Sequence, residues 1–584
     1  MKIRQIIVKN ILLYKPFYRL IAIAVTVAVT VITGSLAVGD SVRGTLIKQV
    51  EERLGKTETI VFSRYSFMDD DILAGIEMPC MASLYTNGFV SISGKMIPVV
   101  VWGRDDMGIE KGGAKINSAL YNEIKTTPTK DVVLRLPSAG MVPLGSMYVT
   151  DTYTISLRLT VESVITGEQG GNLNLKNEQI TPFNIFVNRE ELAQAMNTPG
   201  KINLILFDRI ISTDDFASAW NCSFSGLHHQ GTTVTSDRMF IQEPVVETLC
   251  RLDSTSNRVF AYLANTIGTD DRNIPYSFVT AMDYYKGEPV HPDEIILSDY
   301  AAQRLNVRLH DTLFVSYFVS KQLKTLRVDS VFLTVGKIVP LIDFQADDIL
   351  KADFPGLSNV ERCTEWDSDL PINMNLITDE DEDYWAKYKN TPKAILPYST
   401  LAPRWKNAYG SATALQISND ANNFSHVTYA MFDIQLIYPR ETGITAAKSG
   451  VDFASLFLSL GIFIVISASI LMMVPLSEML FRRRNELSLL RASGFSRKRI
   501  LRLLWSESAP VVGGSAMAGV AIGLIYTYLI LFLLGTIWRG ATHTEGFRVY
   551  FHLTTIASGL LCGIAISLLL LYIGIYRSVK KICI

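Results

Sequence analysis

Four stretches of this chain contain no aspartate, glutamate, lysine, arginine or histidine: Leu20–Val38, Phe453–Leu476, Ala509–Leu534 and Leu553–Tyr576. Each is about 19 residues or longer, enough at 1.5 Å per residue to cross a hydrocarbon core of roughly 30 Å. Absence of charge over that length excludes ordinary soluble helices and predicts four membrane-spanning ones. The lack of ionisable residues in the blocks also argues against a proton- or ion-coupled carrier. No phosphate-cradling GxxxxGK[ST] loop occurs. Gly443-Ile-Thr-Ala-Ala-Lys-Ser lacks the second glycine that close backbone approach to a phosphate requires, so the chain is not expected to hydrolyse ATP itself. HExxH and GxSxG are missing too, and no catalytic residue, cofactor or metal ligand is expected. Histidine is scarce, and His228-His229 has no third ligand at metal spacing, which favours a surface loop. Cysteine is scarce as well. Cys80, Cys222, Cys250 and Cys363 lie between the first two blocks without a CxxC pattern, compatible with disulfides or with buried free thiols.

What is present is apolar residue in excess: 48% of 584 positions are hydrophobic, and the mean hydropathy is +0.22. The first block is longer than the roughly 7–15 residues of a signal-peptide core, although cleavage near Ala37 is the alternative. Ahead of it, Ile3, Ile6, Ile7, Ile11 and Leu12 recur at helical spacing among Lys2, Arg4, Lys9 and Lys15. Residues 1–19 therefore read as a cytoplasmic amphipathic helix on the membrane surface, leading into a retained anchor. Lysine and arginine fix the orientation: five in 1–19, eight in 477–508 and three in 577–584, against two in 535–552. Both termini and the 477–508 loop are then cytoplasmic.

The expected organisation is a transmembrane helix at 20–38, an extracytoplasmic mixed α/β segment at 39–452, and a second span at 453–476. A cytoplasmic loop at 477–508, a third span at 509–534, a short outer loop at 535–552, a fourth span at 553–576 and a tail at 577–584 follow. The 39–452 segment is long enough for two or more subdomains. It carries 52 acidic against 37 basic residues, which suits solubility and argues against nucleic acid as a partner. Strands are predicted at Val132–Leu136, Phe183–Val187, Ile202–Phe207, Leu313–Phe318 and Val328–Val335, and helices at Arg189–Met196 and Ser298–Leu305. Asn117–Leu136 and Ser298–Phe318 share a helix, turn and strand plan that hints at internal duplication. The acidic run 379–383 lacks EF-hand spacing and its glycine, so a solvated acidic turn before Tyr384-Trp385 is expected rather than a calcium site.

Residues 482–505 are densely basic, with Glu486 the one acid among them. Leu487, Leu490 and Arg491 predict a helix that Gly494 ends, and Ser496 stands where a cap would begin the next. Positive charge alone serves topology and anionic headgroups, but it does not account for the compact Glu-Leu-x-x-x-Arg-Ala-x-Gly sequence. The stretch Arg484-Asn-Glu-Leu-Ser-Leu-Leu-Arg-Ala-Ser-Gly-Phe-Ser resembles the signature of FtsX-like permeases, the family of MacB, LolC and LolE. Gly39-Asp-Ser-Val-Arg-Gly-Thr-Leu, Asp353-Phe-Pro-Gly-Leu, Asp381-Glu-Asp-Tyr-Trp, Thr391-Pro-Lys-Ala and Asp452-Phe-Ala-Ser-Leu-Phe are similar to further motifs of large bacterial members. Those members usually carry a second similar half, whereas this chain has the one-span, outer-domain, three-span plan of MacB and LolC.

The resemblance implies a four-span helical bundle with an extracytoplasmic domain of the MacB periplasmic core type, in a bacterial inner membrane. It implies a cytoplasmic ABC ATPase, itself a homodimer, docked on Arg484, Glu486, Leu487, Arg491 and Gly494. A second copy or a paralogous permease is implied as well, and room is left for a periplasmic or outer-membrane partner. The implied function is mechanotransmission, in which the separate ATPase drives movement of the outer domain for export or for extraction of lipoprotein or lipid. Activation of a cell-wall hydrolase and sensing of antimicrobial peptides are the alternatives. For Glu486 two pairings compete: Arg482 at i,i+4 on its own helix, or a donor on the ATPase.

Overall fold

In the computed structural model the four uncharged blocks lie in four long helices, Lys15–Leu54, Phe453–Arg482, Arg497–Thr536 and Leu553–Ile582. The structure describes residues 3–63, 66–92, 94–125, 130–137, 154–176, 178, 180–322, 325–354, 356–358, 360–366, 370–407, 409–418, 421–449, 452–537 and 546–582. The helices overrun the uncharged blocks. The first runs 40 residues, about 60 Å at 1.5 Å each, because nothing after Val38 breaks it before Gly55. That glycine sits at φ +55°, a left-handed stop that suits its missing side chain.

The chain divides into two units, one of Met1–Arg53, Asn174–Thr181 and Arg440–Ile584, the other of Leu54–Leu173 and Pro182–Pro439. Residues 39–53 and 440–452, assigned on sequence to the extracytoplasmic segment, therefore go with the helices. A helix at Pro439–Ser449 lies beside the first long helix, with Gly443 against Val50.

The first long helix is the hub of the helical unit. Of its most apolar stretch 67% is buried, against 17%, 28% and 22% for the other three. Glycines on its neighbours make this possible: Gly519 and Gly563 both face Val29, and a Cβ at either would collide with it. The hydroxyls of Thr26 and Thr30 donate to the carbonyls of Ser515 and Gly519, so these two polar groups tie the hub to its neighbour. Leu460, Phe463, Ile470, Ile525 and Leu561 point outward and are exposed, a surface fit for lipid.

The other unit is built from one plan used twice. Its first copy has strands at Cys80–Ile92, Lys95–Arg104, Gly113–Asn117, Asp131–Pro137, Thr154–Ile165 and Asn184–Val187. Its second has strands at Asn257–Gly268, Asn273–Met282, Glu294–Ser298, Thr312–Gln322, Thr325–Val339 and Ala394–Pro397. In both, counting along the chain, the strands pair in the order 1-2-6-3-5-4 and strand 4 returns to strand 1, closing a six-stranded barrel. Pairs 2–6 and 3–5 are parallel in each and the rest antiparallel. A helix follows strand 3 in each copy, Ser118–Ile124 capped by Asn117 and Asp299–Leu305 capped by Ser298. The duplication hinted at by the sequence thus spans the whole barrel. Three further strands extend each sheet, and Val61, Ile205, Phe207, Val234 and Leu415 from the two extensions share one apolar core. The copies differ most between strands 5 and 6, where the second carries residues 340–393 against 166–183 in the first.

Candidate functional site

The basic hairpin forms, and its turn is glycine's work. Helix Arg484–Ala492 ends where the Gly494 N–H donates to the Arg491 carbonyl and the Phe495 N–H to that of Leu490. This paired closure needs a left-handed residue, and Gly494 has φ +89°. Helix Arg497–Thr536 begins after Ser496, but the serine side chain makes no capping bond. Ser496 marks the boundary without stabilising it.

The five residues singled out by sequence do not form one surface. Arg484, Arg491 and Gly494 are exposed, with Arg484 over the Phe481 ring at 4.9 Å. Leu487 is 1% exposed and packs with Met479, Ile500 and Leu504. It holds the hairpin to the bundle and cannot touch a partner. The apolar side chains that can are Leu489 and Phe495, 67% and 41% exposed.

Glu486 is engaged within the chain on both oxygens. The Tyr14 hydroxyl donates to Oε1 at 2.9 Å, and Arg483 Nε to Oε2 at 3.2 Å. The expected partner Arg482 instead bonds Glu478 at 2.9 Å and lies over the Phe17 ring. The helix breaks between them: Arg482 ends one segment, Arg484 starts the next, and Arg483 is the joint, at φ −87° and ψ 4°. Arg483 follows the buried Met479 by four residues, on the helix's inner face, and bonds Glu486, its i+3 neighbour, instead.

Arg483 also reaches Glu507, an acid two residues before the third uncharged block to which sequence alone assigns no role. Arg483 Nη1 is 2.5 Å from Glu507 Oε2 and Nη2 is 3.4 Å from Oε1. The two side chains are 2% and 0% exposed. Asn10 Nδ2 donates to Glu507 Oε1 at 2.7 Å, and the Arg483 guanidinium stacks over the Tyr14 ring at 5.0 Å. Burying two charges is expensive, and the bidentate geometry with a third donor is what makes the pair tolerable. The charge-free interior seen in sequence therefore ends at a buried ion pair. The Arg483–Glu486 bond had a sequence signal, the i,i+3 spacing that makes helix neighbours as close as i,i+4, whereas the pair with Glu507, 24 positions on, had none.

A second ionic cluster lies in the α/β unit and corrects the reading of the acidic run. Residues Asp379–Tyr388 form a helix, not a solvated turn. Asp381 is buried, held by Arg304 at 2.5 and 3.0 Å and by Lys393 at 3.5 Å. Glu382 accepts the backbone N–H groups of Cys363 and Thr364. Burial pulls the Lys393 ammonium down to about 8 although Asp381 opposes the shift, and burial, aided by the Glu382 charge, pushes the Cys363 thiol up to about 12. A small, partly open pocket beside them is lined by Tyr276, Phe278, Trp366 and Trp385 among others. The ion network staples the long segment between strands 5 and 6 to its barrel. His228 pairs with Asp237 at 2.6 Å, while His229 stacks on Phe424. Cys80, Cys222, Cys250 and Cys363 are free thiols.

No curated protein matches the chain. The FtsX-like permease C-terminal model matches residues 458–581, a region that contains the hairpin, the Arg483–Glu507 pair and most of the last three long helices. Residues 458–581 are thus similar to the FtsX-like permease C-terminal domain, in a chain with four helices long and apolar enough to cross a membrane.

Proposed function

We propose that the chain is the permease subunit of an ABC transporter of the FtsX, MacB and LolC kind, coupling a separate cytoplasmic ATPase to movement of its α/β unit outside the membrane. ATP hydrolysis belongs to the ATPase, and this subunit transmits force for export or for extraction of lipoprotein or lipid. The 16 lysines and arginines on the side of the hairpin and both termini, against two in the 535–552 loop, support cytoplasmic termini in a bacterial inner membrane.

The observation that carries this is the hairpin itself. It presents Leu489 and Phe495 among Arg484, Arg491, Lys498 and Arg499, all exposed. Its other face is fixed to the bundle by Leu487 and by the buried Arg483–Glu507 pair. Apolar knobs rimmed by cations on a firm base fit a partner groove edged with carboxylates, and load applied there passes into the helices rather than into a loose loop. The experiment is co-purification of the full-length permease with its cognate ATPase. Leu489→Asp with Phe495→Asp should abolish co-elution while the permease still inserts in the membrane. Undiminished co-elution would remove the hairpin from the contact.

A further inference from the structure

We propose that Asn10 and Tyr14 are positioning residues that lock the N-terminal helix to the hairpin, so that the two move as one body and drive the first long helix directly. The inference rests on the hairpin being the ATPase contact.

On sequence, residues 1–19 read as an amphipathic helix on the membrane surface. In the structure the helix is Ile3–Leu13, and Asn10 in it and Tyr14 just after it both turn toward the bundle. Asn10 and Tyr14 are four residues apart and share a face. Asn10 donates to a carboxylate with 0% exposure, and Tyr14 donates to Glu486 on the hairpin. Arg483 bridges the two acceptors, so the four side chains Asn10, Tyr14, Glu486 and Glu507 are joined through one guanidinium.

A seal for the buried charge would need Asn10 and Arg483 only. The Tyr14–Glu486 bond lies at a half-exposed carboxylate and seals nothing, yet it adds a second tie to the hairpin. The other end of the tie is stiff. The backbone N–H groups of Phe17 and Tyr18 both donate to the Tyr14 carbonyl, and the helix then runs unbroken to Leu54, where the chain enters the α/β unit. A displaced hairpin therefore pulls on the root of a 40-residue rod.

The test uses the full-length permease bound to its cognate ATPase, native cysteines changed to alanine, with spin labels at Lys9→Cys and Ser493→Cys, both exposed positions. Pulsed electron spin resonance gives the distance between them without nucleotide and with ATP. The expected result is one distance in both states, and a shift of about 2 Å or more on ATP binding once Asn10→Leu and Tyr14→Phe are added. Those changes leave the Arg483–Glu507 pair in place, so the bundle should still assemble. A nucleotide-dependent distance in the parent protein, or none in the double variant, overturns the lock while leaving the docking proposal intact. Failure of the parent permease to bind the ATPase overturns both.

Discussion

Removing the Glu507 carboxylate should be among the most damaging single changes in the helical unit. In Glu507→Ala the Arg483 guanidinium, 2% exposed in the parent, loses both contacts to Glu507 and keeps Nε to Glu486 at 3.2 Å and the Tyr14 ring. Asn10 loses its acceptor as well. Breaking a buried pair from one side costs about 3–5 kcal/mol, because the surviving charge is left unpaired. At roughly 2–4 °C per kcal/mol for a unit of this size, the midpoint of thermal unfolding should fall by roughly 6–20 °C. Glu507→Gln keeps acceptors for Asn10 and Arg483 and should lose about half as much. The double change Arg483→Met with Glu507→Leu removes both charges at similar volume and should unfold within a few degrees of the parent.

Heating the detergent-purified protein and following its monodisperse fraction by size-exclusion chromatography ranks the four. The expected order is parent and double variant together, then Gln, then Ala. An alanine variant as stable as the parent would show that the pair is not desolvated as described. The double variant carries a second expectation: it regains stability but not ATP turnover coupled to the permease, since Arg483 no longer joins Glu486 to Glu507.

Gly494→Val should weaken ATPase binding through the backbone alone: no atom lies within 4 Å of an added Cβ, while φ +89° disfavours a β-branched residue by roughly 1–3 kcal/mol. Gly494→Asn, which tolerates that region better, should bind more nearly like the parent in the same co-elution assay. Leu487→Ala should lower stability by about 2–5 kcal/mol, and Leu489→Ala should leave thermal unfolding unchanged. In the α/β unit, burial alone would raise the Asp253 carboxyl, yet hydrogen bonds from Thr255 and Ser418 hold it down at about 2. That stabilisation is present above the ordinary aspartate value near pH 4 and is lost as pH falls toward 2. Asp253→Asn should thus destabilise residues 54–439, expressed alone, in urea at pH 7, with the difference from the parent shrinking as pH falls from about 4 through about 2. Labelling of intact cells should reach a cysteine placed at Asp270 and not one placed at Ser496; the reverse would invert the proposed orientation.

Much of this architecture was legible because membrane and barrel impose strong local patterns. A lipid-facing helix cannot carry charge over its length, so the four long helices stood out as uncharged blocks. Strands such as Asp131–Pro137 and Asn184–Val187 were visible as short runs of Val, Ile, Leu and Phe. The duplication was legible only where it repeats a local device: Asn117 and Ser298 each cap a helix directly after strand 3. The ring closures from strand 4 to strand 1 join residues such as Val90 with Leu134 and Ile267 with Val315. They leave no mark on either strand alone, because pairing is chosen by the partner's position and not by local composition.

The hairpin shows the opposite limit. Its helix, its glycine stop and its basic character were readable, but the roles of individual side chains were not. Leu487 and Leu489 are the same residue type two positions apart, and on a helix two positions reverse the face, so one is 1% exposed and the other 67%. Charge misled for a related reason. Three consecutive arginines look equivalent in sequence, yet the helix breaks at the middle one. Arg482 and Arg484 stay exposed, and Arg483 turns into the bundle toward an acid 24 positions away. The helix period decides which one turns inward: Arg483 follows the buried Leu476 by seven positions and Met479 by four, on the face that meets the bundle, and there it supplies the counter-ion that the buried Glu507 carboxylate needs.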